Sequence, residues 1–486
     1  MKIVYIKQFI IFIPDMKIVK MIKNLKENMD EYQQKAYDAA INGESIFISA
    51  GPGFGKTYLL QELRKKLKCV AMSPQWSSAF YINGKSINSA LQIKPNIVDL
   101  IEYTSDDFNK TNCGLTHKFI KGNLDKKGDI ADIYIIDEIS QVSGDLLFII
   151  DLKLRIMFEN DKPFGDRQII VCGDFAQLGP INYKRFKYAF ESPSWNFIPY
   201  ILKKCHRQDE EDFIHALENI RKGGNYSFFK TSDRNDAIKE CLNDDNSIAL
   251  FPTHSQCSSI NNRKLRDINA SAKGIPAIDI SYNGKVNIAH ESGNYIYPEL
   301  LILKEGAKSI LIKSTNPKQL FYNGRVVKII KIETAYCSNI HDALSPESQI
   351  EIFNMNSYTN RTIGKTLMKK FSETHEKIPF YRLTIKLPTG ETLVLSPSAE
   401  IKESHGKIMS MRIQFPILLG WAITLHRSQG MTIDKGIVCV DNVFTHGMVY
   451  MGISRFKSME RLKIIGELPE KCDVDEKVLK FLSSLE

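Results

Sequence analysis

No Cys-x-x-Cys pair occurs among the nine cysteines, and no cysteine or histidine cluster has zinc-ligand spacing. That excludes a disulfide framework and a zinc knuckle, and cysteines scattered in this way suit a reducing, intracellular compartment. The apolar stretch Ile10 to Pro14 is too short to span a membrane and too short for a signal-peptide core. Residues 1–27 contain neither arginine nor serine, so they make a poor transit peptide and read as an N-terminal extension, with Met16 and Met21 as alternative starts. Internal repeats and low-complexity linkers are also missing, which removes solenoid and tethered-tail architectures.

What is present is ordinary in bulk and unusual in its motifs. The apolar fraction is 43% and the charged fraction 25%, values of a soluble globular protein, and 486 residues suffice for two or three domains with their own cores. A formal net charge of +9 suggests a polyanionic partner such as nucleic acid.

The organising stretch is Ala50-Gly51-Pro52-Gly53-Phe54-Gly55-Lys56-Thr57. It lies between an apolar run, residues 44–49, that reads as a buried strand and a run, Tyr58 to Leu67, with helical spacing. At such a strand-to-helix turn, Gly51, Gly53 and Gly55 let backbone N–H groups converge on phosphate oxygens, and the helix adds its positive end. Lys56 then reaches the outer phosphates of a bound ATP, and the Thr57 hydroxyl ligates Mg²⁺.

Upstream, residues 30–42 read as a helix capped by Asp30, with Ala36, Tyr37, Ala40 and Ile41 on one face. It delivers Gln33 near the loop, where the side chain either reads an adenine edge or is a solvated helix residue. Cys69 to Met72 forms the next strand and leads into a polar turn with Pro74 and Trp76. In a nucleotide-driven motor that strand end faces nucleic acid and Trp76 stacks on a base; the competing reading is a core tryptophan. Ile133 to Ile136 is a buried strand ending in Asp137 and Glu138, about 80 residues after the loop. There Asp137 holds Mg²⁺ and Glu138 orients and deprotonates the attacking water. Gln168 to Cys172 is a further strand, and Gln177 sits beyond its carboxyl end, placed to sense the γ-phosphate.

Strand, loop and helix alternate to residue 200, which predicts a doubly wound parallel sheet. An amphipathic helix over Asp209 to Lys222 follows Arg207, and a second α/β unit opens at Ile248 with a helix from Asn261. From residue 296 to 410 the period changes to two, and Asn323-Gly324 between apolar runs signals a hairpin, so this stretch reads as an all-β insertion. The parallel pattern returns with Phe415 to Leu425 and ends in a helix from Asp475. The expected domains are therefore 28–200, with a loop-rich insertion at about 90–130, and 201–295 joined to 411–486.

The ordered set DEYQQKAYDAA, AGPGFGKT, IIDEIS, GDFAQLGP, CHRQDEEDFIHALENIRKGG, WAITLHRSQGMT and YMGISR resembles superfamily 1B DNA helicases. The likeness is to the PIF-type branch, with RecD-like enzymes as relatives, and runs from about residue 29 to 470. It implies two tandem RecA-like domains with ATP between them, a small wedge inserted in the first and a small β-barrel in the second. By this resemblance Gln33 reads adenine, Gly430 joins the nucleotide contacts, and Arg207 and Arg455 are arginine fingers. Thr424, His426 and Ser428 resemble a strand-facing coupling motif, and with Pro74 and Trp76 they make up the implied DNA contacts. Two departures fall in the DNA-contacting part of the first domain: Gln75 to Ala79 stands for the family's Thr-Gly-x-Ala-Ala, and Asn88 for a histidine.

The resemblance implies an ATP-dependent motor moving 5′-to-3′ on single-stranded DNA and opening a fork or tailed duplex, as a monomer without a membrane partner. Phosphate contacts make such binding salt-sensitive and indifferent to base sequence. Two alternatives stand beside it: an RNA helicase of the same superfamily, and a non-unwinding DNA-remodelling subunit switched by ATP. A nuclease is excluded in this reading, since no acidic or histidine constellation occurs outside the nucleotide site.

Overall fold

The structure is a computed structural model. It describes residues 29–485 apart from 75–77, 80–81, 83, 95, 102–119, 121, 209, 282–285, 289–294, 296, 313–323, 336–379, 405–406 and 471–473. Trp76 thus lies outside the described residues, as does much of the loop-rich stretch at 90–130.

Helix α1 (Glu31–Ile41) begins at a reciprocal cap. The Asp30 carboxylate accepts from the Tyr32 and Gln33 N–H groups, while Gln33 Oε1 accepts from the Asp30 N–H. The buried face is Gln33, Ala36, Ala39 and Ala40, whereas Ile41 is exposed, one step away from the face predicted. Strand β1 (Ile46–Ser49) is fully buried and feeds the glycine loop into α2 (Lys56–Lys66). Burying Leu59, Leu60 and Leu63 clamps that helix on the sheet, at about 2 kcal/mol for each side chain.

Around β1 lie β2 (Cys69–Ser73), β3 (Lys85–Ser86), β4 (Ile133–Ile136), β5 (Gln168–Gly173) and β6 (Ile198–Ile201). They form one parallel sheet in the order β3-β2-β4-β5-β1-β6. Crossovers place the carboxyl ends of β1, β4 and β5 side by side, so the phosphate loop, Asp137 and the Gln177 loop share one edge. Between β4 and β5, helix α3 (Gly144–Phe158) is almost wholly buried, including Asp145 and Asp151. The Asp145 carboxylate accepts from the backbone N–H groups of Lys184, Arg185 and Phe186, and Asp151 accepts from the Phe164 N–H and the Ser194 hydroxyl. These carboxylates pin the loops around Phe164, Lys184 to Phe186 and Ser194 to the helix.

Helix α4 (Glu211–Arg221) opens the second domain, burying Phe213, Ala216, Leu217 and Ile220. Its parallel sheet runs β8-β7-β9-β10, from β7 (Ile248–Phe251), β8 (Ala422–Thr424), β9 (Gly436–Cys439) and β10 (Leu462–Ile465). The helix after β7 is α5 (His254–Asp267). It starts seven residues earlier than the Asn261 read from sequence, because Thr253 and Gln256 cap it reciprocally. Between β7 and β8 the antiparallel strands begin at Lys273 and end at Leu419, wider on both sides than 296–410. Among the described residues this region forms antiparallel sheets of five, four and two strands.

Strands Lys308–Leu311 and Val326–Ala335 pair antiparallel, and Asn323 of the expected Asn-Gly turn lies outside the described residues. Gly324 already lies on the returning side, donating to the Leu311 carbonyl at 2.9 Å. Its φ is +93°, and a Cβ there would come within 2.9 Å of Met431 Cβ. Glycine is needed for that close approach to the second-domain loop.

After α6 (Met448–Ile453), the chain ends in α7 (Glu476–Ser483), capped by Asp475. This helix, expected in the second domain, packs on the first. Phe481 stacks on Phe190 at 4.2 Å between centroids and meets Phe175, Trp195 and Phe47 edge-on or tilted. Asp475 accepts from Tyr188 Oη at 2.9 Å and pairs with Lys187 at 3.0 Å. The apolar face of the helix, with Val478 and Leu482 buried, is covered there. Among the described residues, no helix is long and apolar enough to cross a membrane.

Candidate active site

A cavity of about 410 Å³ lies between the domains, lined by Gly53, Gly55, Lys56, Thr57, Glu138 and Gln177 from the first and Arg207, Gly430, Thr432, Arg455 and Lys457 from the second part of the chain. The phosphate loop holds its shape through glycine. Gly55 has φ +79°, and a Cβ there would sit 2.2 Å from Gln33 Nε2; at Gly53 it would sit 2.7 Å from Arg207 Cβ. Lys56 Nζ donates to the Ala50 and Gly51 carbonyls at 2.6 and 2.8 Å, which arches it over the loop.

Asp137 leaves β4 buried, and its carboxylate accepts from the Glu138 N–H at 2.9 Å. Burial, reinforced by the Glu138 charge, pushes the Asp137 carboxyl up to about 7 against the pull of that hydrogen bond and of Lys56. Glu138 itself sits at φ +53°, a left-handed backbone costly for a non-glycine residue, and its Oε2 is buried with no hydrogen-bond partner among the described residues. Strain and an unsatisfied oxygen on one residue mark a group held for chemistry rather than for stability.

Arg207 and Arg455 enter from the far side. Arg207 Nη1 donates to the Ser454 carbonyl at 3.0 Å; Arg455 donates through Nε to Met451 O at 2.9 Å and through Nη2 to Gln177 Oε1 at 3.3 Å. Neither is ion-paired to a carboxylate among the described residues. Burial, together with the neighbouring Arg455 charge, pushes Arg207 down to about 9. Burial also lowers Arg455, although Glu138 opposes the shift. Two desolvated cations facing a glycine loop and an orphaned carboxylate oxygen form a site for a polyanion with a reacting oxygen between them.

The donor set fits a nucleotide with Mg²⁺. Thr57 and Asp137 would hold the ion, and a cation beside Asp137 would reverse the cost of ionising it. Among the described residues there is no cluster of three or more His, Cys, Asp or Glu that could hold a metal ion.

The other predicted residues divide. Gln33 is buried against the loop, its Nε2 3.5 Å from the Phe54 carbonyl, but its oxygen is taken by the helix cap. Pro74 ends β2, half-buried. Thr424 lines a separate cavity of about 660 Å³ with His254, Asn261 and Arg427, and accepts from the Arg427 N–H. His426 is half-buried and stacks on the exposed Phe444 at 5.6 Å. Ser428 departs from its expected DNA contact: it is fully buried, donating to the Leu425 carbonyl at 2.6 Å to close a 3₁₀ turn. Asn88 braces the following turn through the Lys94 carbonyl.

Sequence reading missed Asp174, Arg221 and Tyr450. Asp174 is fully buried and accepts from Arg221 Nε at 3.0 Å, Tyr450 Oη at 3.1 Å and Gln177 Nε2 at 3.3 Å. Asp174 and Tyr450 stand inside GDFAQLGP and YMGISR, but no local pattern shows that they meet.

The sheets and cleft define the class: a P-loop nucleotide-binding protein with two RecA-like domains in tandem. Residues 25–227 match the family described as PIF1-like helicase. The match covers the first-domain segment and the helix that follows it. It is similar to the ATP-dependent DNA helicases PIF1 of Emericella nidulans, 24% identical over 91% of the chain, and of Candida albicans, 25% identical over 95%. The chain spans 61% and 57% of the length of these two curated relatives. It shares its fold with a Bacteroides Pif1 solved in complex with ADP-AlF4, at TM-score 0.65 and 21% identity, over 94% of this chain and 97% of that one.

Proposed function

We propose that the chain hydrolyses ATP in the interdomain cleft and uses the opening and closing of its domains to move 5′-to-3′ along single-stranded DNA, separating a fork or tailed duplex. The observation that carries this reading is the pair Arg207, half-buried, and Arg455, buried, without carboxylate partners among the described residues and facing the phosphate loop from the second domain. Cations placed in this way balance charge that develops on the γ-oxygens, so turnover requires both domains. The names of the relatives support DNA as the track.

In this mechanism the loop N–H groups and Lys56 seat the phosphates, and Thr57 and Asp137 hold Mg²⁺, which neutralises phosphate charge when bound. Glu138 aligns a water with its free Oε2 and takes its proton, while Gln177 reads the γ-phosphate. After cleavage and release of the phosphate the charge attracting the two arginines falls, the domains part, and the strand advances. The half-buried Pro74 and the cavity beside Thr424 and His426 lie on the elements proposed to face DNA. We further place the protein inside a reducing compartment, as a monomer on its track; six described cysteines are free.

The test compares ATP hydrolysis and unwinding on 5′-tailed, 3′-tailed and RNA substrates with Mg²⁺. Unwinding only from the 5′ tail is expected. Unwinding confined to a 3′ tail overturns the polarity, equal stimulation by RNA favours the RNA reading, and stimulated hydrolysis with no unwinding favours the remodelling subunit.

A further inference from the structure

The loop after β5 is gripped by the second domain at several points beyond Arg455. Helix α6 starts at Gly447, where φ is +73° and a Cβ would lie 2.4 Å from the Ala176 carbonyl oxygen and 2.7 Å from that of Gln177. Only glycine lets α6 approach so closely. One turn on, Tyr450 Oη reaches Asp174 Oδ2 at 3.1 Å. Its hydroxyl also lies under the phosphate loop, 3.3 Å from where a Gly51 Cβ would be. From α4, Arg221 donates to Asp174 through Nε at 3.0 Å and to Ser49 Oγ through Nη2 at 3.2 Å.

These contacts close a ring. Asp174 accepts from Gln177 Nε2, Gln177 Oε1 accepts from Arg455, Arg455 Nε donates to Met451 O on α6, and α6 returns to Asp174 through Tyr450. Each member is at least nine-tenths buried, so a broken bond leaves an unsatisfied group in a dry site. Tyr450, Arg455 and α6 move with the second domain, while Asp174 and Gln177 are fixed to β5. Separation of the domains therefore breaks the ring at two places at once, and closure restores both.

We propose that Asp174, held by Tyr450 and Arg221, is a positioning hub that sets the orientation of Gln177 only when the domains are closed. The hub makes the γ-phosphate sensor conditional on domain closure, and it rests on the nucleotide-hydrolysis reading above. Tyr450 and Arg221 act through Gln177 and need not touch the nucleotide.

The decisive variant is Tyr450→Phe, which removes one hydroxyl and keeps the ring in place. We expect kcat for DNA-stimulated ATP hydrolysis to fall about tenfold, the equivalent of one hydrogen bond to a charged group, with KM for ATP changed less than twofold. Because the hydroxyl works through Gln177, adding Tyr450→Phe to Gln177→Ala should cost almost nothing further. Arg221→Lys, which keeps the charge, should recover more kcat than Arg221→Gln, and melting temperatures confirm that each variant is folded. Additive losses in the double variant, or a KM effect at constant kcat, overturn the hub. Wild-type hydrolysis without unwinding overturns the helicase reading alone, and a wild type that does not hydrolyse ATP overturns both.

Discussion

The two walls of the cleft are built in opposite ways. On the first-domain wall, Lys56, Thr57, Asp137 and Glu138 come from two short stretches at the ends of β1 and β4, and their backbone conformation is written locally in glycines and in the left-handed Glu138. On the facing wall, Arg207, Arg221, Tyr450 and Arg455 are single side chains from three separate segments, held by hydrogen bonds to backbone carbonyls and to Asp174. The first wall binds by geometry that exists before closure. The second contributes charge that reaches the phosphates only through tertiary packing, which makes it suited to control rate rather than occupancy.

This contrast breaks first at Lys56. Lys56→Ala should reduce hydrolysis at least ~1,000-fold and weaken ATP binding as well, measured by turnover and by nucleotide titration, because the preformed wall loses its phosphate contact. Arg455→Ala should lower kcat by roughly 100- to 1,000-fold with ATP binding within a few-fold of wild type. If Arg455→Ala instead abolished binding, the walls would not differ in the way described.

Asp137 sharpens the point through pH. Its folded pKa, raised to about 7, lies above the unfolded carboxylate value, so the folded chain binds more protons between about pH 4 and pH 7 and loses stability as pH rises through that window. In metal-free chemical denaturation stability should fall as pH rises through that window, and Asp137→Asn should flatten the fall. A profile that stays steep in the variant would assign the titration elsewhere.

Smaller effects separate the walls by stability. Phe481→Ala removes the ring that ties the C-terminal helix to Phe190 and Phe175, and should cost about 2–3 kcal/mol in denaturant unfolding. Hydrolysis should fall much less than for Arg455→Ala. Glu138→Gly relieves a positive φ and an unsatisfied buried oxygen, so the folded chain should gain about 1 kcal/mol while hydrolysis is lost. A destabilised Glu138→Gly would show that its backbone is not strained.

Most of the first wall was legible in the chain because its residues are neighbours in sequence and obey strand and loop periodicities. The second was legible only through family resemblance, since an arginine before a helix carries no local sign of its target. Particular misreadings have particular causes. Ser428 sits in a recognisable motif but spends its hydroxyl on Leu425. The start of α5 was misplaced because Thr253 and Gln256 cap it before its apolar pattern begins.

The sequence by itself determined the phosphate loop, the acids at the end of β4, the parallel sheets and the order of the motifs, because these depend on short-range geometry and on the alternation of apolar residues. Only the tertiary structure decided that Asp174 joins Arg221, Tyr450 and Gln177, that α6 presses on the Gln177 loop through Gly447, and that the last helix crosses to the first domain. Those contacts join residues far apart in the chain, and burial strengthens each hydrogen bond while making its loss costly. Nothing in the local pattern of either partner could announce the other.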